Sequence, residues 1–281
     1  MKDLAEKVAV VTGAASGIGQ ALATRFAAER MKVVLADVEA VPLARVADDL
    51  CAAGATVLAV PTDVGDAAAV DALARAAVAA FGAVHLVCNN AGVAGPGGPL
   101  WTLTEADWEW TLRVNLWGVV HGIRAFVPLL VAQGEGHVVN TASMAGLLSP
   151  QLMGPYVASK HAVVAISEVL ARDLEVAASP VRVSVLCPGF VRTRIAESAR
   201  NRPASLADTS SQAHAHPAAA LAANMVQQAV AGGTSPDDVA EQVVAAVRDE
   251  RFYVLTHPEM MGAVHHRNND IVQGRYPRLP S

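Results

Sequence analysis

Residues 7–19 read KVAVVTGAASGIG, and this stretch decides the fold. Its first part, Lys7–Thr12, is short and apolar in its middle, which predicts a buried strand. A glycine-rich turn follows, and a helical pattern then runs from about Gly17 to Arg30. A turn of this kind between a strand and a helix lets the backbone approach a pyrophosphate, which the positive end of the helix dipole stabilises. The stretch therefore predicts a dinucleotide site.

Strand and helix patterns alternate through the rest of the chain. The predicted strands span residues 32–37, 55–61, 83–88, 136–142, 181–187 and 251–256. The predicted helices span residues 40–53, 66–81, 104–132 and 154–178, the third with a break near Pro128. Nearly continuous apolar strands separated by helices are typical of a parallel sheet covered on both faces, which makes this an α/β fold.

The composition excludes several classes of function. At 281 residues, without a linker or an internal repeat, the chain is expected to form a single domain, residues 1–281. A net charge of −5 leaves no basic face for nucleic acid and no polybasic patch for a membrane. No continuous apolar run, uninterrupted by polar residues, approaches the ~20 residues that a membrane span needs. Residues 1–7 lack the apolar stretch of a signal peptide, so a cytoplasmic location is expected.

The cysteines and histidines do not have metal-ligand spacing. Cys51, Cys88 and Cys187 lie in apolar surroundings and are interpreted as reduced core residues. His214 and His216 flank an alanine, and His265 precedes His266, without acidic or cysteine partners at ligand spacing. No metal site is expected.

An acidic residue ends the second predicted strand. Asp37 stands eighteen positions after Gly19, where a carboxylate can accept hydrogen bonds from the ribose hydroxyls of adenosine. A 2′-phosphate would be repelled there, and neither residues 14–16 of the turn nor Val38 supplies a compensating cation. The sequence therefore predicts NAD rather than NADP, although an exposed aspartate that begins the following helix is the structural alternative.

Polar and small residues follow the next two strands. Asp63 and Val64 follow the third strand, where they are expected to meet the adenine ring. Asn89-Asn90-Ala91-Gly92 follows the fourth, where small residues let the chain pass close to a cofactor and asparagine side chains can tie neighbouring strands together. An Asn-Asn pair at a strand end is also a common turn.

Tyr156 and Lys160 are four residues apart in a predicted helix, so their side chains share one face. A cation beside a phenol favours the phenolate and lowers the phenol pKa from about 10, which suits general acid–base chemistry. Such pairs also occur on ordinary amphipathic helices. Ser143 favours the catalytic interpretation, because it ends the fifth predicted strand, at the sheet edge where open α/β folds bind ligands.

Six motifs in register resemble those of the short-chain dehydrogenase/reductase family over about residues 5–256. They are Thr12-Gly13-x-x-x-Gly17-x-Gly19, Asn89-Asn90-Ala91-Gly92, Asn115, Ser143, Tyr156-x-x-x-Lys160 and Pro188-Gly189. The resemblance implies a Rossmann-like doubly wound parallel sheet and reversible hydride transfer between a nicotinamide and a carbonyl or alcohol carbon. It also implies that residues 188–191 and Thr193 hold the nicotinamide, and that Asn115 holds a water linking Lys160 to solvent. A buried asparagine bonded to backbone is the alternative for Asn115.

The candidate site is defined by these residues. The candidate catalytic residues are Asn115, Ser143, Tyr156 and Lys160. The candidate cofactor-binding residues are Gly13, Ser16, Gly17, Ile18, Gly19, Asp37, Asp63, Val64, Asn90, Ala91, Gly92, Tyr156, Lys160, Pro188, Gly189, Val191 and Thr193.

The resemblance also implies a homodimer or homotetramer, in which the helix at 104–132 and the Tyr156 helix form a four-helix interface. Four tryptophans are interpreted as core or subunit contacts rather than as a cofactor box. They are Trp101, Trp108, Trp110 and Trp117.

Residues 193–235 are predicted to form a lid over the active site, because the pattern there weakens into loops and two short helices. The expected apolar lining favours a bulky nonpolar ketone or secondary alcohol. It consists of Leu148, Leu152, Met153, Phe190, Leu221, Met225 and Val226. Residues 257–281 form an extension that could cover the site of a neighbouring subunit.

The sequence therefore predicts an NAD-dependent alcohol dehydrogenase or ketone reductase. Reduction of a β-ketone bound to acyl carrier protein is one alternative, but it usually goes with NADP and a basic docking patch. A protein that senses NAD without turnover is another, and it would have no need of a titratable phenol.

Overall fold

A seven-stranded, all-parallel sheet forms the centre of the computed structural model, which describes residues 1–207 and 216–277. The strands are β1 (Val8–Thr12), β2 (Lys32–Asp37), β3 (Val57–Pro61), β4 (Leu86–Asn89), β5 (His137–Thr141), β6 (Arg182–Cys187) and β7 (Tyr253–Leu255). Their order is β3-β2-β1-β4-β5-β6-β7. The order reverses beside β1, which opens a crevice at the carboxyl ends of β1 and β4.

Helices cover both faces of the sheet. In the described ranges they are α1 (Gly17–Ala28), α2 (Ala40–Ala52), α3 (Ala67–Phe81), α4 (Glu105–Leu112), α5 (Gly118–Gln133), α6 (Gly154–Val176), α7 (Pro217–Ala231), α8 (Pro236–Asp249) and α9 (Met261–Val272). Alternate residues of β1 face opposite layers: Val11 packs with α1, α2 and α8, while Val10 packs with α3, α5 and α6. Phe26 in the first layer and Phe126 in the second are fully buried. The predicted Rossmann-like, doubly wound fold is confirmed.

The predicted helix break near Pro128 is wrong. Helix α5 runs through Pro128, and the irregular turn lies earlier, as a π-helix at Arg113–Trp117. Pro128 and Arg124, whose carbonyl loses its helical partner, both face solvent, so water can bond to this carbonyl while Phe126 and Leu130 keep the helix packed on the core. The π-helix instead separates α4 from α5 next to the cleft, which is a common place for such turns.

The expectation that Cys51 is buried is also wrong, whereas Trp101 does not lie in the core and its alternative role as a subunit contact stays a prediction. Cys51 is exposed, because Leu43, Val46 and Leu50 form the face of α2 that packs on the sheet. Trp101 is 85% exposed, since it lies on a short 3₁₀ turn outside the core. Trp110 is buried, as expected.

The run Glu105–Gln133 is long and apolar enough to cross a membrane by length and composition. One such run is weak evidence for a span, because the core helix of a globular domain has the same composition. Here Phe126 and Leu130 pack against the sheet and α3. The absence of a membrane partner stays a prediction.

Gly122 allows α5 to approach the end of β4. A methyl group at this position would overlap the amide of Asn89, whose nitrogen donates to Asn140 Oδ1 over 2.8 Å. We expect Gly122→Ala to lower the free energy of unfolding in urea by about 2 kcal/mol, because the buried amide pair must move. Gly262→Ala is the control, since within the described residues no atom outside its own helix backbone and its chain neighbours lies within 4 Å of its added methyl group. Wild-type stability of Gly122→Ala would contradict this packing argument.

Candidate active site

A cleft of about 1330 Å³ lies at the carboxyl edge of the sheet and brings most of the predicted site together. Its walls include Gly13, Ser16, Gly17, Ile18, Asp37, Asp63, Val64, Asn90, Ala91, Gly92, Ser143, Tyr156, Lys160, Pro188, Gly189, Val191 and Thr193. Two predicted residues, Gly19 and Asn115, lie behind the wall and act on it indirectly.

The glycine turn leaves the amino end of α1 open to the cleft. Gly13 and Gly17 have φ angles of 68° and 57°, which favour glycine. A methyl group on Gly19 would overlap the Gly13 carbonyl, so Gly19 serves close packing of helix on turn. Ser16 caps α1 without a side-chain hydrogen bond, and the first turn carries no acidic residue. The positive helix end therefore fits the diphosphate of a dinucleotide.

Asp37 lies beside this turn. Its Oδ2 accepts from the Ala15 amide over 3.0 Å and its Oδ1 from the Glu39 amide over 2.9 Å. Burial raises the pKa of this carboxyl, and the backbone donors partly offset the effect. Each oxygen keeps acceptor capacity, so the carboxylate fits the two hydroxyls of an adenosine ribose.

The expectation that no cation lies near Asp37 is incomplete. Arg200 reaches the same end of the cleft from the lid and pairs with Glu39, with Nε–Oε1 and Nη2–Oε2 distances of 3.1 and 2.6 Å. This bond lowers the pKa of the Glu39 carboxyl. The two residues are 161 positions apart, so no local pattern could have indicated the pair. Because Glu39 occupies the guanidinium, Arg200 does not neutralise Asp37 by direct contact.

Asp63 has an additional structural contact. Its Oδ2 accepts from Arg113 Nη2 over 3.0 Å, and its Oδ1 accepts from the Gly65 amide over 2.8 Å. Val64 lies next to it in the wall, and its carbonyl is 2.9 Å from His121 Nδ1. The Asp63–Arg113 pair therefore fastens the adenine side of the cleft to the π-helix.

Ser143, Tyr156 and Lys160 meet at the centre of the cleft. Lys160 Nζ lies 5.6 Å from the centroid of the Tyr156 ring and donates to the Thr141 carbonyl over 2.9 Å. Ser143 is buried, accepts from the Ala145 amide over 3.1 Å, and interacts with the Tyr156 side chain. One serine hydroxyl, one phenol and one ammonium therefore share a small volume at the ends of β5 and α6.

The expected depression of the Tyr156 pKa is wrong for the chain without cofactor. Burial raises the Tyr156 pKa, and the Ser143 side chain only partly opposes this effect, although the ring keeps some exposure to the cleft. Burial also lowers the pKa of Lys160 to about 8. Removal from water is the largest cause of both shifts, and the Lys160 ammonium bonds to the Thr141 carbonyl rather than to the phenol oxygen.

Asn115 holds the chain that follows β4. Its Oδ1 accepts from the Val93 amide over 2.8 Å, and its Nδ2 donates to the Val93 carbonyl over 2.9 Å and to Ser159 Oγ over 3.2 Å. Gly92 lies between Asn115 and Lys160: a methyl group there would approach Asn115 Oδ1 to 3.3 Å and Lys160 Nζ to 3.5 Å. The contacts of Asn115 are those of a buried asparagine bonded to backbone, the alternative given for it above. Its role in holding a water that links Lys160 to solvent stays a prediction.

The lid is only partly as expected. Residues 208–215 of the predicted lid, which include His214, lie outside the described residues. On α7, Val226 and Val230 face the cleft, one helical turn apart, whereas Leu221 and Met225 are exposed. The expected lining by those two residues and by Leu152 is therefore wrong. Helical periodicity turns Leu221 and Met225 away from the face that carries Val226.

The C-terminal extension reaches the cleft of its own chain. Met260, Ala263, Arg267 and Ile271 lie on one face around α9 and contribute to the wall. Within residues 1–207 and 216–277, no three His, Cys, Asp or Glu side chains are grouped to hold a metal ion. The absence of a metal stays a prediction.

Sequence reasoning also missed His257, which contacts the segment predicted to hold the nicotinamide. Its ring nitrogens lie 3.0 Å from the Gly189 amide and 3.1 Å from the Phe190 carbonyl. The available signal was its position, two residues beyond the end of β7, at the edge of the sheet where ligands bind.

Comparisons with known proteins agree with this geometry. The family model for short chain dehydrogenases matches residues 7–204. A short-chain dehydrogenase/reductase from Burkholderia phymatum, crystallised in complex with NAD, is 48% identical, with a TM-score of 0.97 over 100% of this chain and 99% of that one.

Two curated relatives match nearly the whole chain. The CLA biosynthesis dehydrogenase/reductase of Lactiplantibacillus plantarum is 35% identical over 99% of this chain and 97% of the relative. The 1-deoxy-11-beta-hydroxypentalenate dehydrogenase of Streptomyces avermitilis is 38% identical over 95% and 91%, respectively.

Burial of Lys160 predicts a pH-dependent stability difference. Between about pH 8 and its ordinary pKa of 10.5, the unfolded chain keeps a proton that the folded chain has released, so the wild type gains stability as the pH rises. Below about pH 8 the folded chain bears the full cost of the buried ammonium. We expect Lys160→Met to be more stable than the wild type at pH 7 by about 2 kcal/mol, after loss of the bond to Thr141.

The measurement is urea unfolding of both proteins at pH 7 and pH 10. The difference should shrink at the higher pH, where the wild-type lysine is neutral in the folded chain. A Lys160→Met protein that is less stable than the wild type at both pH values would contradict the assigned cost of burial.

Proposed function

This chain belongs to the short-chain dehydrogenase family, and on that premise we propose that it interconverts a secondary alcohol and a ketone with NAD as hydride carrier. It is an oxidoreductase of that family. One observation carries the proposal: Ser143, Tyr156 and Lys160 converge in a cleft whose other end is the open helix terminus of α1. A pure NAD sensor would need the second feature but not the first.

Tyr156 is the proposed proton carrier. Its raised pKa keeps the phenol protonated at neutral pH. The phenol can therefore donate this proton directly to a ketone oxygen. Alcohol oxidation requires the reverse transfer, for which the phenol must first lose its proton. NAD, when bound, would supply or accept the hydride at C4 of its nicotinamide.

Ser143 and Lys160 would assist this transfer in different ways. The Ser143 hydroxyl accepts from the Ala145 amide, and its own bond to the Pro188 carbonyl is long at 3.4 Å, so its proton can turn to the substrate oxygen as negative charge develops there. With a pKa of about 8, Lys160 is mainly an ammonium at neutral pH. Its Nζ is available for the nicotinamide ribose while the Thr141 carbonyl fixes its position.

Two carboxylates support NAD over NADP. Asp37 has open acceptor sites for ribose hydroxyls, and Glu39, at the same end of the cleft, holds Arg200 in an ion pair. A 2′-phosphate would meet both groups, while Arg200 is already paired.

The substrate end of the cleft is mainly apolar, which supports a bulky nonpolar alcohol or ketone. Leu148, Met153, Phe190, Val226 and Val230 contribute to this wall. The relative from Streptomyces avermitilis is named for a hydroxy substrate, which agrees with this class of reaction.

Tyr156→Phe tests the proposed proton carrier. We expect this variant to bind NAD normally and to lose about 10³-fold or more in kcat, because positioned acid–base groups contribute this order of rate. Turnover would be followed by NADH absorbance with a panel of secondary alcohols and ketones. Tyr253→Phe is the matched control, since Tyr253 donates to Glu168 outside the cleft. Near-normal turnover by Tyr156→Phe would remove this residue from the mechanism.

Asp37→Ala tests the cofactor assignment. We expect the Kd for NAD to rise about tenfold, with a smaller change for NADP, because charged hydrogen bonds to the ribose are lost. The double variant Asp37→Ala, Glu39→Gln should bind NADP more tightly than the single variant, since Arg200 then becomes available for the 2′-phosphate. Asp71→Ala, on the exposed face of α3, is the control. An unchanged ratio of the two Kd values in Asp37→Ala would refute the ribose assignment.

A further inference from the structure

The segment Pro188–Val191 forms part of the cleft wall and joins the end of β6 to the lid. It also reaches the catalytic serine, because the Pro188 carbonyl accepts from the Met144 amide over 2.8 Å and from Ser143 Oγ over 3.4 Å. The position of this segment therefore affects both the nicotinamide side of the cleft and Ser143.

His257 holds this segment from behind. The residue is 8% exposed and lies just beyond β7. Its Nδ1 lies 3.0 Å from the Gly189 amide, which can only donate, so Nδ1 accepts. Its Nε2 lies 3.1 Å from the Phe190 carbonyl, which can only accept, so Nε2 carries the proton. The two contacts together define a neutral ring with a single tautomer.

The same ring also contacts the end of the lid. Thr234, which follows α7, has its Oγ1 3.2 Å from His257 Nε2, and its amide donates to the Phe190 carbonyl over 3.0 Å. Thr256 Oγ1 lies 2.8 Å from Nδ1. One imidazole therefore joins the sheet edge, the cleft wall and the lid.

The fit around the ring is close. A methyl group on Gly189 would lie 2.7 Å from ring carbons of His257, so the wall can approach the imidazole only because residue 189 is glycine. The ring thus sets the position of the Gly189 backbone by contact as well as by hydrogen bonding.

We propose that His257 is a positioning residue for the nicotinamide half of the cofactor, acting through Gly189 and Phe190, and that it couples this half-site to the end of the lid. The inference rests on the proposed function. The adenosine half of the cleft is built from Asp37 and the turn at Gly13–Gly19, which His257 does not touch. Loss of the imidazole should therefore affect one half of the dinucleotide only.

The test compares two probes in calorimetric titrations of the full chain: NAD, and ADP-ribose, which lacks the nicotinamide. We expect His257→Phe, which keeps a ring but loses both directional bonds, to raise the Kd for NAD about tenfold. The Kd for ADP-ribose should stay at the wild-type value. His257→Asn keeps an acceptor near the Nδ1 position for the Gly189 amide. Its Kd for NAD should therefore lie between the values of the wild type and of His257→Phe.

His137→Phe is the matched control. His137 is buried like His257 and bonds through Nε2 to Ser184 Oγ over 2.8 Å, but it begins β5 at the opposite edge of the sheet. It should lose stability and keep the wild-type Kd for both probes. If His257→Phe does not fold, His257→Asn alone still distinguishes the two probes.

The outcomes separate two failures. A wild-type Kd for NAD in His257→Phe, or an equal loss for NAD and ADP-ribose, would overturn the positioning role and leave the proposed function intact. A wild-type protein that binds neither probe would overturn the proposed function itself.

Discussion

The whole site depends on a buried polar junction at the carboxyl ends of three strands. The Thr12 hydroxyl accepts from the amides of Asn90 and Ala91 over 2.9 and 3.0 Å and donates to the Cys88 carbonyl over 3.3 Å. The Asn90 side-chain nitrogen, Nδ2, donates to the Thr12 carbonyl over 2.9 Å, and Thr141 Oγ1 donates to Asn90 Oδ1 over 3.3 Å. Because β1, β4 and β5 end together at this junction, the glycine turn faces the serine and the phenol.

Desolvation is the dominant electrostatic effect at the centre of the cleft. It opposes charge on Lys160 and on Tyr156 at the same time, so the folded chain holds a proton on the phenol and binds the lysine proton weakly. The same low local dielectric strengthens the hydrogen bonds that orient Ser143 and the Lys160 ammonium, which offsets part of this cost. Stability and the proposed catalysis thus place opposite demands on Lys160.

The sequence indicated those parts of the site that depend on local spacing. Strand ends, the glycine turn and the four-residue separation of Tyr156 and Lys160 each follow from short-range geometry. The pair formed by Arg200 with Glu39 and the contacts of His257 join distant segments, and periodicity carries no information on such contacts. Pro128 misled because the core packing of Phe126 and Leu130 holds α5 in place despite the helix-breaking tendency of an interior proline, and such packing is not readable from the proline alone.

The close contact between Gly189 and His257 also constrains how this protein can diverge. A larger residue at 189 would collide with the imidazole, and a side chain without an acceptor at 257 would orphan the Gly189 amide. A substitution at either residue 189 or residue 257 disturbs this contact. A related protein with a substitution at one of the two positions should therefore carry a compensating substitution at the other. The two residues are 68 positions apart, yet we expect them to covary.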